Sequence, residues 1–198
     1  MLKVALTGGI ATGKSHVLNR FRSRGVPCLD ADSLAHGVMA AGTEATQAIA
    51  ARFGPGVIAA DGSVDRKRLG PIVFADAQAR RDLEALVHPA VHRAITAGLR
   101  AFELLGGSPL AIVDVPLLYE SGYQSDFDRV IVTACPVETQ IRRLAERGLT
   151  DEDARQRIAA QWPIDEKASR ADFVIRTDGA LEDTGRQVED VLQVLRRV

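Results

Sequence analysis

Cysteine is scarce. Cys28 and Cys135 are the two in 198 residues. Both sit in apolar, strand-like stretches, so they read as reduced, buried thiols of a cytosolic protein rather than as a disulfide framework or a metal site. An excess of one charge is also lacking. There are 25 basic and 26 acidic residues, for a net charge of −1, and no overall basic field points to nucleic acid. No apolar run is long enough to span a bilayer, so no membrane partner is expected. No secretory leader pattern is expected either, because the first apolar segment leads straight into a glycine loop. Internal repeats and low-complexity tracts are absent. Asparagine occurs once, as Asn19, followed by Arg20, and no Asp-x-x-Gly is present. A switch protein that reads guanine through Asn-Lys-x-Asp is thereby excluded.

What is present centres on Gly8 to Ser15, Gly-Gly-Ile-Ala-Thr-Gly-Lys-Ser, which matches G-x-x-x-x-G-K-[ST]. The short apolar stretch Leu2 to Thr7 precedes it as a buried parallel strand would. Val17, Leu18 and Phe21 follow at helical spacing. Strand, glycine loop and helix together are the context the motif needs. Glycines let the backbone turn tightly and lay N–H groups against phosphate oxygens, and the helix start adds its positive end. Gly9, Ile10, Ala11, Thr12, Gly13, Lys14, Ser15 and His16 are the candidate ATP-binding residues. Lys14 is expected to reach the β- and γ-phosphates, and Ser15 to ligate Mg²⁺.

At 198 residues the chain reads as one domain. Further strands are expected at Gly25–Leu29, Leu110–Pro116, Arg129–Ala134 and Phe173–Ile175. Helices are expected at Ser33–Met39, from Gly42-Thr43 through Phe53, at Asp65–Val73 and at Ala77–Leu86. A His88-Pro89 step is then expected to reorient the chain into a separate helix from about Pro89 to Leu105. Two more helices are expected from Pro136 to about Arg147 and from Thr150 to about Gln161. A closing helix carries Leu181, Val188, Leu192 and Leu195 as its apolar stripe. Five strands alternating with helices imply an α/β fold with a parallel sheet covered on both faces. Ligands in such folds bind beyond the C-terminal strand ends. The P-loop, the Asp30/Asp32 pair and Asp114 all fall there.

A kinase needs a group that accepts or orients the proton of the acceptor hydroxyl. Asp32, just past Leu29, suits that role, although it would equally serve as an N-cap for the next helix. Asp114 closes an Ile-Val-Asp strand and suits Mg²⁺ support through water, in the manner of many P-loop proteins, or a turn before Pro116. Arg142, Arg143, Arg147, Arg155 and Arg157 crowd one stretch. They suit a lid that neutralises phosphoryl charge, or a solvated basic face paired with nearby acids. Tyr119 and Trp162 would serve either as a base platform or as core.

These residues together resemble the dephospho-CoA kinase family, over nearly the whole chain. The resemblance rests on the Leu6-Thr7-Gly8-Gly9-Ile10 entry to the P-loop and on Asp30-Ala31-Asp32 with Ala35-His36. It continues through Asp65-Arg66, Leu69, Phe74, Leu83-Glu84 and His88-Pro89. Asp114-Val115-Pro116-Leu117-Leu118-Tyr119-Glu120 looks like the family's D-V-P-L-L-[FY]-E. Gln140, Arg143, Arg147, Arg157–Gln161, Lys167 and Ala171–Ile175 complete it.

The resemblance implies that phosphate passes from ATP to the ribose 3′-hydroxyl of dephospho-CoA, giving CoA and ADP. It implies Asp32 as base, with Lys14 and Arg143 as further catalytic groups. Arg143, Arg147 and Thr177 would join the ATP site, and Asp32, His88, Leu117 and Tyr119 the acceptor site. It also implies a nucleotide-binding core (about 1–30, 108–138 and 171–198), a helical acceptor-binding region (about 31–107) and a lid (about 139–170). A monomer is expected, with an oligomer as the alternative. The alternatives are a nucleoside or nucleotide kinase of the same fold and a non-catalytic ATP-binding regulator. The chain departs from the family pattern twice. Arg176-Thr177 stands where many members carry an Asn near the adenine, and Gly148-Leu149 follows Arg147 one residue early.

Overall fold

The structure is a computed structural model, and it describes residues 1–197. Its centre is a five-stranded sheet in the order β2-β3-β1-β4-β5. The strands are β1 (Leu2–Gly8), β2 (Cys28–Asp30), β3 (Leu110–Asp114), β4 (Arg129–Ala134) and β5 (Phe173–Arg176). β1 pairs in parallel with β3 on one side and β4 on the other, and β4 pairs in parallel with β5. β3 is buried at all five positions, and β1 from Val4 to Gly8. Near-continuous apolar strands of this kind are what a sheet covered on both faces requires.

Contacts divide the chain into two compact units. One is Met1–Leu29 together with the chain from Ala101 onward; the other is Asp30–Arg100. The first unit holds the sheet. On one face, α1 (Lys14–Ser23) and α10 (Leu181–Leu195) bury Val17, Leu18, Phe21, Val188 and Leu192 against Val4, Leu6, Ile112 and Ile131. On the other face Ala5, Val130 and Val132 meet Leu118 and Tyr119 of the single turn α6 (Leu118–Ser121). Ile164 and Ala168 of α9 (Ile164–Ser169) pack there as well. Between them in sequence run α7 (Val137–Ala145) and α8 (Asp151–Ala159), where Leu144 and Ala154 share a small core with Ala11.

The second unit contains α2 (Ala31–Val38), α3 (Glu44–Phe53), α4 (Arg66–Ala75) and most of α5 (Ala77–Leu105). Met39, Ile49, Val57, Val64 and Leu69 form its own core, closed by Leu83, Leu86 and Val87. Capping explains where its helices start. Asp30 accepts from Ser33 N–H at 2.9 Å, Thr43 from Thr46 N–H at 3.2 Å, and Asp65 from Lys67 and Arg68 N–H.

Two expectations need correction. The His88-Pro89 step does not separate two helices: α5 runs unbroken for 29 residues with Pro89 inside it. One missing N–H costs a long helix one bond, and packing by Leu83, Leu86 and Val87 on the preceding turns holds the line. The capping role open to Asp32 belongs to Asp30, and Asp32 lies exposed in the first turn of α2. The turns α6 and α9 fall in stretches to which the sequence assigns no element. At four and six residues, they are too short to show a periodicity.

Candidate active site

β1 ends in Gly8 and α1 begins at Lys14, so the loop between them opens at the C-terminal edge of the sheet. Its root is very tight. A Cβ on Gly8 would lie 2.3 Å from Thr133 Oγ1 and 2.7 Å from the Thr133 carbonyl. Only glycine fits. Gly13 adopts φ 81°, and Ala11, the one non-glycine with positive φ among the described residues, adopts φ 59°. A side chain at such a φ is strained by about 1 kcal/mol or more and persists only where its surroundings fix it.

Those surroundings are a set of side chains behind the loop. The Ile10 carbonyl accepts from Gln140 Nε2 at 2.6 Å, the Ala11 carbonyl from Arg143 Nη1 at 3.0 Å, and the Thr12 carbonyl from Thr177 Oγ1 at 2.7 Å. Thr12 Oγ1 returns to the Gly9 carbonyl at 2.8 Å and also meets Thr133 Oγ1 at 2.8 Å. A trans peptide points its C=O and the following N–H in opposite directions. Drawing the carbonyls of Ile10 and Thr12 backward therefore turns the N–H groups of Ala11 and Gly13 outward. This is the polarity that an anion site needs.

Lys14 Nζ lies 2.5 Å from Asp114 Oδ1, both side chains largely buried. Asp114 thus ends β3 directly beside the lysine. Ser15 is exposed at the start of α1. A hydroxyl and a carboxylate are hard oxygen donors, which suits Mg²⁺. Among the described residues no group of three or more His, Cys, Asp or Glu side chains could hold a metal alone. That also fits Mg²⁺, which is usually held by one or two protein oxygens together with phosphates and water.

The other expected residues fall into three groups. Arg143 is half-buried and clasps the Ala11 carbonyl, the Thr177 hydroxyl at 3.3 Å and the Thr177 carbonyl. Thr177 turns its hydroxyl into the loop. Arg147 is exposed just past α7, and Leu117 is partly exposed. Tyr119 faces inward, stacked on Trp162 with ring centroids 6.0 Å apart. Burial raises its phenol pKa. Asp32 and His88 belong to the second unit, where both are exposed, on α2 and α5.

Gln140, Gln161, Lys167 and Glu120 belong to the family resemblance, which implies no role for them. Each has a defined place. Gln161 Oε1 accepts from the Ile10 N–H at 2.7 Å. Lys167, with no exposed side-chain surface, pairs with Glu120 at 2.7 Å and lies 3.5 Å from the Gly8 carbonyl. Glu120 also accepts from Trp162 N–H at 2.9 Å. The sequence Ile-Asp-Glu-Lys-Ala-Ser of α9 is mostly polar and gives no sign that Lys167 is buried, although a buried ammonium needs a carboxylate partner. Nothing in the sequence says which carboxylate.

By fold and by the construction of its phosphate loop, the chain is a P-loop kinase of the nucleotide-kinase type. A shikimate kinase from Bacteroides thetaiotaomicron shares the fold at 15% identity, with a TM-score of 0.54 over 98% of both chains. Residues 2–183 match the family model described as dephospho-CoA kinase, and the chain belongs to that family. It is 45% identical over 193 residues to the dephospho-CoA kinase of Geobacillus kaustophilus, covering 97% of this chain and 96% of that one. It is 48% identical over 200 residues to that of Anaeromyxobacter dehalogenans, covering 99% and 93%. Among solved structures, TT1252 from Thermus thermophilus superposes with a TM-score of 0.83 at 35% identity, over 98% of this chain and 97% of that one.

Proposed function

We propose that this protein transfers the γ-phosphoryl group of ATP to the ribose 3′-hydroxyl of dephospho-CoA. The acceptor oxygen forms a bond to phosphorus, the bond from phosphorus to the β-phosphate oxygen breaks, and ADP and CoA leave. Full-length membership of the dephospho-CoA kinase family carries this reading. The loop geometry supports the ATP half, since its outward N–H groups and Lys14 suit a triphosphate.

Lys14 exchanges Asp114 for the β- and γ-phosphates when nucleotide binds. Ser15 and Asp114 would hold Mg²⁺, Asp114 through water, and the ion would neutralise charge on the phosphate oxygens. Asp32 receives the proton of the acceptor hydroxyl. His88, Leu117 and Tyr119 bind the acceptor, with Tyr119 acting as the wall behind it. Arg147, exposed just past α7, meets the phosphoryl charge from solvent. Arg143 serves the same charge while holding the loop and Thr177. Thr177 takes the family's Asn position beside the adenine. The helical region 31–107 serves the acceptor, and 139–170 serves as a lid, in a chain that acts as a monomer. Among the described residues no helix is long and apolar enough to cross a membrane.

The test is product identity. Mg·ATP and dephospho-CoA should yield CoA and ADP in equal amounts by chromatography and mass spectrometry. ATP bound without CoA formed would overturn the reading.

A further inference from the structure

The two polar groups of Ile10 are each taken by a glutamine from a different element. Gln161, just beyond α8, accepts the Ile10 N–H at 2.7 Å. Gln140, on α7, donates to the Ile10 carbonyl at 2.6 Å. The two residues therefore fix two successive peptide planes, Gly9–Ile10 and Ile10–Ala11. Gln140 is 2% exposed, and its Oε1 is buried with no hydrogen-bond partner. A buried amide normally uses both ends. Here only the donor end is used, so the carbonyl of Ile10 is what holds this side chain. Gly9 leaves the room for it, because a Cβ there would lie 2.7 Å from Gln140 Nε2.

We infer that Gln140 and Gln161 are positioning residues for the nucleotide phosphates, acting through the Ile10 backbone. This rests on the ATP reading given above. With the Ile10 carbonyl drawn back by Gln140, the Ala11 N–H is turned outward, and the strained φ 59° of Ala11 is maintained. Without Gln140, the Ile10–Ala11 peptide can rotate. The loop then offers a carbonyl where an anion needs a donor. Gln161 steadies the preceding peptide and sets the edge of the anion site at Ile10. A glutamine is suited to that edge because its amide oxygen accepts a hydrogen bond without adding negative charge.

Three variants test this in the full chain: Gln140→Met, Gln161→Met and Gln161→Glu. Readouts are kcat, KM for ATP, KM for dephospho-CoA, and Tm. Gln140→Met should raise KM for ATP about tenfold or more while KM for dephospho-CoA stays within about twofold. Gln161→Met should shift it the same way, and the double variant should lose less than the product of the two, because both act on one residue's backbone. Gln161→Glu keeps an acceptor for the Ile10 N–H but places a charge beside the phosphates. It should weaken ATP without lowering Tm, and added salt should relieve part of the loss. A folded Gln140→Met with wild-type kcat and KM for ATP would overturn the inference. So would a Gln161→Glu that binds ATP normally at low salt, and this second result decides the matter if Gln140→Met does not fold. If the wild type neither binds nor hydrolyses ATP, it is the functional reading that fails instead.

Discussion

At the scale of single residues, the functional reading separates what touches phosphate from what touches the acceptor. Lys14→Ala should abolish most turnover and weaken ATP binding, because its ammonium, held beside Asp114 at the start of α1, is the group proposed to reach the β- and γ-phosphates. Asp32→Asn should lower kcat by about 10² or more, the usual worth of a general base, and leave ATP affinity nearly intact. Steady-state kinetics beside a nucleotide-binding titration separates the two. A near-normal kcat for Asp32→Asn would remove the base from Asp32. The cysteines give a further residue-scale outcome. Burial pushes the Cys28 thiol up to about 11, and it also raises Cys135. Both should therefore alkylate slowly at pH 8 until denaturant is added. A folded pKa above the unfolded one means that the Cys28 contribution is intact below about pH 9. It declines as pH rises toward 11, where the unfolded thiol has ionised and the folded one resists. Alkaline unfolding of Cys28→Ala should accordingly show a shallower loss over that window.

At the scale of elements, the phosphate loop was legible because its residue types are dictated by backbone geometry that nothing else satisfies. Gly8 and Gly13 are cases in point, one excluded from bearing a Cβ by Thr133, the other held at positive φ. Gly8→Ala should cost on the order of 1–3 kcal/mol through overpacking, read as a lowered Tm. The frame behind the loop was not legible. Gln140, Gln161, Lys167 and Thr177 lie more than 120 residues from the loop in sequence, and a polar residue's partner across such a distance leaves no periodic trace. The reading of α5 failed for a related reason. Local chemistry at His88-Pro89 argued for a break, while the packing that overrides it is tertiary. Pro89→Ala restores an N–H to the helix interior and removes a penalty of up to about 3 kcal/mol. A higher Tm is expected. If His88 serves the acceptor, His88→Ala should raise KM for dephospho-CoA. An unchanged KM would leave His88 outside the acceptor site.

At the scale of the whole molecule, alternation of strands and helices was enough to give the parallel sheet, and Asp-Ala-Asp, His-Pro and D-V-P-L-L-Y-E in this order were enough to point to the family. The chain's own division sets Asp30–Arg100 apart from the sheet-bearing unit. Ligands that bind only the folded chain raise its stability by mass action. At a hundredfold excess over Kd the gain is about 2.7 kcal/mol, or several degrees of Tm for a chain of this length. Mg·ATP should produce that shift in the wild type and lose it in Lys14→Ala. The measurement that bears most directly on the account is ADP release from Mg·ATP with dephospho-CoA, adenosine, AMP or no acceptor. The account predicts ADP with dephospho-CoA alone, accompanied by CoA. ADP released with adenosine or AMP in preference to dephospho-CoA would contradict it.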